Sequence, residues 1–327
     1  MTSFVTVNYH YVRPIKNSKF PNLKGLEIKE FIKQINYLKN NYNIISGYDL
    51  INSILYKDKL PKKSCLLTFD DGYKDHYKYV MPELLKRKIT GCFFPSAENI
   101  LLSKVTETNK IHFILNTKKN MDIVNDIDFF LIKNNCKLPN KEKIYKKFEK
   151  KFKKRWDSKD VKYIKYLLQT WIPKNIREKC CNYLFKKYLG TDESIFSKKL
   201  YVSSNEINEM IKNGMVFGGH GYRHIRLAEL SFDEQKKEVN KMLKFLKIFN
   251  IIENWIMCYP YGSFNKDTIS ILSKKKCVLG FAADYGKSYL NKKNLFKVNR
   301  FNFEDVCRAS IRFRSRSART TPCRNTL

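Results

Sequence analysis

Two of the five histidines, His220 and His224, stand four residues apart in His220-Gly221-Tyr222-Arg223-His224. At that spacing both rings can lie on one side of a helical turn or of a tight loop. About 150 residues earlier, Thr68-Phe69-Asp70-Asp71-Gly72 ends an apolar run on two adjacent carboxylates. Neighbouring acids repel unless a cation or hydrogen bonds hold them. Alone, such a motif reads as an ordinary turn, with Asp as a cap and Gly in the left-handed region. The combination says more. One carboxylate and two imidazoles make three ligands and leave room for water and substrate, the layout of a catalytic metal centre. The other carboxylate is then free to act as a base, because neighbouring side chains on an extended backbone diverge. Tyr259-Pro260-Tyr261-Gly262 adds a stiff loop whose tyrosines offer rings for sugar stacking and hydroxyls for hydrogen bonding. His10 lies in Tyr9-His10-Tyr11, directly after a first apolar segment.

These residues need elements to hold them. Short apolar runs predict strands at Phe4–Asn8, Ser64–Phe69, Gly91–Phe94, Met215–Phe217, Trp255–Cys258, Val278–Ala282 and Phe296–Asn299. Between them run helical patterns: Ile28, Phe31, Ile32, Ile35 and Leu38 form one apolar stripe, and Tyr77–Lys88 forms another helix. Ser203-x-x-Glu206 and Ser231-x-x-Glu234 are capping boxes, and the second opens a helix with Val239, Met242, Leu243, Leu246 and Phe249 on one face. The rhythm is that of an α/β fold with a mostly parallel sheet. All four chemical features follow the C-terminal ends of predicted strands, the edge that carries active sites in such folds. From 98 to 199 the pattern changes to Lys-rich helices, with apolar residues at helical spacing in Ile111–Leu115, Ile144–Phe152 and Val161–Leu168. A structural cap and a substrate-gripping subdomain explain this insertion equally well.

At this point the chain resembles the polysaccharide deacetylases, the NodB-homology domains of carbohydrate esterase family 4. Thr68–Gly72 matches that family's first motif, which implies Asp70 as catalytic base and Asp71 as metal ligand. His220–His224 matches the second, whose two histidines are metal ligands; Gly221 stands where the family commonly has Ser or Thr. Tyr259–Gly262 with Ser263-Phe264-Asn265 resembles the third, with Met257 and Cys258 where an Arg is frequent. No His follows 224, so the family's usual late histidine is missing. The chain is similar to the circularly permuted branch of poly-N-acetylglucosamine deacetylases, in which a Tyr-His motif on the first strand supplies it, and His10 fits. The resemblance implies a distorted (β/α) barrel of about seven strands with a helical insertion. It also implies one divalent ion, zinc first, with cobalt, nickel or iron suited to the same ligands. The substrate implied is an N-acetylated amino sugar, bound by Tyr259, Pro260, Tyr261 and Gly262. Asp70 would take a proton from water, the ion and a backbone N–H near Tyr261 would hold the oxyanion, and His10 would protonate the leaving amine. Arg300, at the end of the last predicted strand, is assigned to orient Asp70, with a surface arginine as the plain alternative.

The expected organisation is a barrel from 1–97 and 200–307, the insertion at 98–199 and an Arg-rich tail at 308–327. The chain has 327 residues, a hydrophobic fraction of 43% and a formal charge of +33. That apolar content excludes disorder throughout. Six of the thirteen arginines fall in the last twenty residues, which contain no Lys, Asp or Glu, so this tail reads as foreign to the fold. The other 51 basic residues are lysines, which read first as a solvated surface. The nine cysteines mostly sit in apolar segments without a C-x-x-C pair, as reduced thiols would. No secretory leader or membrane span is read, and a cytoplasmic location is expected, with peripheral contact to an anionic inner membrane. The substrate would then be a surface-glycan precursor, nucleotide- or lipid-linked. Three other readings are weighed: a non-haem iron oxygenase, a glycan binder of the same fold without turnover, and a basic nucleic-acid binder. Nucleic acid is not expected, because the lysines are dispersed and no finger or RNP-like run is found.

Overall fold

The computed structural model describes residues 3–151, 157–291 and 294–306, with no account of side chains at 147–151. The Arg-rich tail lies outside the described residues, as do Cys307 and Cys323. Contacts divide the described residues into two compact units, 3–14, 24–104 and 197–306 in one, and Ile15–Leu23 with the described part of 105–196 in the other.

The first unit is a mostly parallel barrel. Its strands are β1 (Ser3–Tyr9), β2 (Asn43–Ile45), β3 (Ser64–Asp71), β4 (Cys92–Pro95), β5 (Val216–Phe217), β6 (Trp255–Cys258), β7 (Cys277–Phe281), β8 (Ser288–Tyr289) and β9 (Phe301–Asn302). β1 lies parallel to β3 over six residue pairs, from Phe4 opposite Ser64 to Tyr9 opposite Phe69. One edge of β3 is shared: β2 takes its first half and β4 its second. β5 follows β4, and a bridge between Gly219 and Met257 carries the sheet on to β6 and β7. A further bridge from Phe281 to Val298 leads towards β9, which returns to β1. Seven parallel positions therefore close the ring, and β8 adds an antiparallel pair to the start of β1. All eight residues of β3 are buried, as expected of a strand covered on both faces. Phe69 stacks between Tyr9 and Phe93, and Phe93 stacks on Phe217.

Two predicted elements differ. The helix expected over Tyr77–Lys88 is a wide turn, His76–Val80, followed by a short helix, Met81–Lys86. Pro82 lacks an N–H and crowds the preceding turn, so the backbone widens there and Met81 donates to the carbonyl of His76. The strand expected at Phe296–Asn299 is a turn, closed by Lys297 donating to Asn294, with only Val298 bridged; pairing resumes at β9. Both capping boxes form.

The second unit is helical, with helices Glu107–Ile114, Asn120–Lys133, Lys141–Lys151, Lys159–Tyr166 and Lys174–Leu189. Lys110 is buried and paired with Glu193, 2.9 Å away. Phe20 brings the Ile15–Leu23 segment in by packing edge-on against Phe113. Among the described residues no helix is long and apolar enough to cross a membrane. The seven described cysteines are free, and six are buried.

Candidate active site

The site lies where β1, β3, β5 and β6 end. Asp71 closes β3 in the left-handed region, φ 71°, and Gly72 follows at φ 67°, so the chain turns sharply away from the strand. His224 and Tyr261 also have positive φ, 53° and 58°. Side chains rarely adopt that region, and such strain gathers where function fixes the backbone.

The carboxylate of Asp71 meets both imidazoles. Its Oδ1 is 3.3 Å from Nε2 of His220 and 3.2 Å from Nε2 of His224. Its Oδ2 accepts a hydrogen bond from the Tyr73 hydroxyl at 2.6 Å. The Nδ1 of His220 is 2.8 Å from the carbonyl of Cys258, which can only accept, so Nδ1 carries the proton and Nε2 turns a lone pair to the cluster. Nδ1 of His224 is buried without a partner. These three donors suit a divalent ion. Ligands about 2.1 Å from a tetrahedral ion stand about 3.4 Å apart, close to the spacings seen. With Nδ1–H of His220 committed to Cys258, its Nε2 can face the Asp71 carboxylate only with a cation or a second proton between them. Burial opposes a charged His220, yet Cys258, Asp71 and Asp70 together hold its pKa well above the usual value. Burial also works against the Asp71 anion, but the two histidines hold it well below the carboxylate range.

Asp70 points elsewhere. Its Oδ1 takes the Arg300 guanidinium at 2.9 Å and the Cys258 thiol at 3.4 Å, and its Oδ2 faces His10 Nε2 at 3.8 Å. Burial would raise its pKa, but Arg300, then His220 and His10, hold it at about 2. Asp70, His220 and Cys258 form a second group of converging donor atoms. Arg300 already supplies the positive charge there, which leaves Asp71, His220 and His224 as the better cation site.

Arg300 is buried and also reaches Thr68 and the carbonyl of Ala282. It stands on Asp70 from the far end of the chain, beside the Cys258 thiol, which meets the same carboxylate oxygen. Gly221 has φ 72°, and an added Cβ would press on Pro260 at 3.3 Å. A serine there would be strained, which accounts for glycine in the second motif.

Of the four residues assigned to the sugar loop, Tyr261 is 40% exposed, with its ring edge-on to His224 at 4.8 Å and Arg226 stacked over it at 4.3 Å. Gly262 packs so closely on Ala283 that a Cβ would lie 2.4 Å from it. Pro260 is buried. Tyr259 is different: its ring is buried against Phe264 and its hydroxyl donates to Phe296 O, so it belongs to the core and not to the sugar loop. Residues passed over in the sequence also contribute. His76 is buried and neutral, with burial lowering its pKa to about 4, and its Nε2 donates to the carbonyl of His10 at 2.9 Å. Tyr73 and His76 sit at 73 and 76 of one turn just after the first motif, a proximity that could have marked them.

The polysaccharide deacetylase family model matches residues 57–112 and 142–279, and the chain belongs to that family. It is a carbohydrate deacetylase, a hydrolase of carbon–nitrogen bonds other than peptide bonds, acting in the de-N-acetylation of polysaccharide. That assignment displaces the oxygenase reading. Among solved structures the fold is similar to the Streptococcus pyogenes deacetylase PplD in complex with acetate, at 15% identity, 92% of each chain covered and a TM-score of 0.57. It is also similar to IcaB from Ammonifex degensii, at 18% identity, 92% of this chain and 91% of that one covered, TM-score 0.54. A de-N-acetylase from Aggregatibacter actinomycetemcomitans gives 17% identity, 91% and 94% covered, TM-score 0.53. No curated protein matches the chain.

Proposed function

We propose that the chain is a metal-dependent deacetylase that removes the acetyl group from an N-acetylated amino sugar of a bacterial surface glycan or its precursor. One observation carries this reading: three metal-ligand atoms converge beside a separate, buried, ion-paired carboxylate at one end of a barrel. Asp71, His220 and His224 would hold the ion. When bound it supplies a Lewis acid that acidifies water and polarises the acetyl carbonyl. Asp70 needs that help. A carboxylate held at about 2 is ionised at every working pH but is a weak base. Arg300 and Cys258 occupy its Oδ1, so Oδ2 is the oxygen that receives the water's proton. His10 has a side chain 42% exposed and its backbone tied down by His76, which suits delivery of a proton to the departing amine. Tyr261 offers the substrate a ring at the rim.

The proposal extends to the carrier and the location: a phosphate-bearing, nucleotide- or lipid-linked sugar, handled in the cytoplasm at the inner membrane face. The charge supports it, +27 from 33 − 6 once the six arginines of the tail are set aside. The test is acetate release from a panel of N-acetylated sugar nucleotides, lipid-linked sugars and oligosaccharides. Release should stop with a chelator, return with zinc or cobalt, and be absent in Asp71→Ala whatever metal is added. Release that survives both the chelator and Asp71→Ala would refute the metal assignment.

A further inference from the structure

We infer that Tyr73 is a positioning residue for the metal, fixing Asp71 as a ligand through one oxygen only. The inference rests on the metal reading above. A free carboxylate can present either oxygen, or both at once. Here the Tyr73 hydroxyl donates to Oδ2 at 2.6 Å, while Oδ1 alone faces the Nε2 atoms of His220 and His224. Tyr73 is itself immobilised. Its ring is fully buried and stacks on Tyr11, centroids 4.1 Å apart and planes 22° from parallel, and on Tyr201 at 6.0 Å and 10°. The backbones of Tyr73 and Tyr201 form an antiparallel bridge, and Val202 donates to the carbonyl of Gly72 at 3.0 Å. The hydroxyl therefore cannot follow the carboxylate if Asp71 turns.

Two consequences follow. A carboxylate restricted to one oxygen leaves a coordination position for water or substrate that a two-oxygen ligand would fill. And because Tyr11 directly follows His10, the stack that sets Asp71 also holds the segment carrying His10. Partners outside the ligand shell commonly change metal affinity by about 10–100-fold.

The experiment compares wild type, Tyr73→Phe and Tyr201→Phe, each stripped with chelator. Zinc affinity is measured by competition with a chelating dye, the cobalt-loaded absorption spectrum is recorded, and the unfolding midpoint of the metal-free protein is followed. Tyr73→Phe should bind zinc about 10–100-fold more weakly and show a weaker cobalt visible band, as a second carboxylate oxygen raises the coordination number. Its metal-free midpoint should stay near wild type, because the stacked ring remains. Tyr201→Phe keeps the stacked ring and leaves the Tyr73 hydroxyl on Asp71, so it should keep wild-type affinity and spectrum. Equal affinities and spectra in wild type and Tyr73→Phe would overturn the inference alone, as would an equal loss in Tyr201→Phe. A wild-type chain that takes up no metal would overturn the metal reading and this inference with it.

Discussion

Two adjacent aspartates end up in opposite electrostatic settings. Asp71 faces two imidazoles and a tyrosine hydroxyl, whereas Asp70 is clamped by a buried guanidinium. The turn at Asp71, with φ 71°, separates them. Their roles should therefore separate by mutation. Asp70→Asn keeps the shape of the side chain and an oxygen for Arg300, but removes the base. We expect it to bind metal with wild-type stoichiometry and to lose about 10²–10⁴-fold in turnover. Metal analysis beside acetate release checks this, and full turnover would refute the base assignment. Arg300→Met leaves the Asp70 charge buried without its partner, which typically costs about 3–5 kcal/mol. Asp70→Asn likewise leaves the buried Arg300 guanidinium without its counter-charge, so urea unfolding should find both variants less stable than wild type, and wild-type stability in Arg300→Met would mean that the pair does not stabilise this end of the barrel.

At the scale of elements, the barrel closes through two-residue strands and single bridges. β5 has two residues, and β6 is reached through Gly218 and Gly219 rather than through a ladder. An added Cβ at Gly218 would stand 2.4 Å from the carbonyl of Ile256 and 2.6 Å from the Phe94 ring. Gly218→Ala should therefore lower stability by about 1–3 kcal/mol and, because His220 is two residues on, weaken metal binding as well. Unfolding midpoint and zinc titration test the two effects, and a variant unchanged in both would mean that the closure tolerates the methyl group. Much of this frame was legible beforehand. β1, β3, β6 and β7 are built on short, mainly apolar runs, and the capping serines at 203 and 231 mark helix starts. The first two motifs can be read because each packs its ligands into five consecutive residues. β2, β8 and β9 were hidden or misplaced because strands of two or three residues carry no periodicity. Tyr259 has its ring in the core, and a tyrosine beside Pro and Gly reads the same in sequence whichever way its ring faces. The contact of Arg300 with Asp70 spans 230 residues, and only the proximity of strand ends in a barrel suggests it.

For the whole molecule the open question is what the charge does. Six of the arginines outside the tail are described, and each is paired with a carboxylate: Arg13 with Asp75, Arg87 with Glu83, Arg177 with Glu107, Arg223 with Glu238, Arg226 with Glu229 and Arg300 with Asp70. Within the described residues the excess is therefore carried by lysines. Lysine is a strongly hydrated point charge on a flexible stem, suited to diffuse attraction and not to fixed bidentate recognition. Such attraction is screened over about 10 Å at 0.1 M salt and about 3 Å at 1 M. If the charge serves a membrane face or phosphorylated carriers, the protein should sediment with anionic vesicles at low salt. It should release them well below 1 M, and should ignore neutral phosphatidylcholine vesicles throughout. Mutating the metal ligands should leave that binding unchanged, since the site contributes little to the total charge. Binding that persists at 1 M salt would instead indicate insertion of exposed apolar side chains such as Phe129 and Ile132, 56% and 60% exposed on one helix. No binding at low salt would remove the charge from the functional account and leave it as a property of composition.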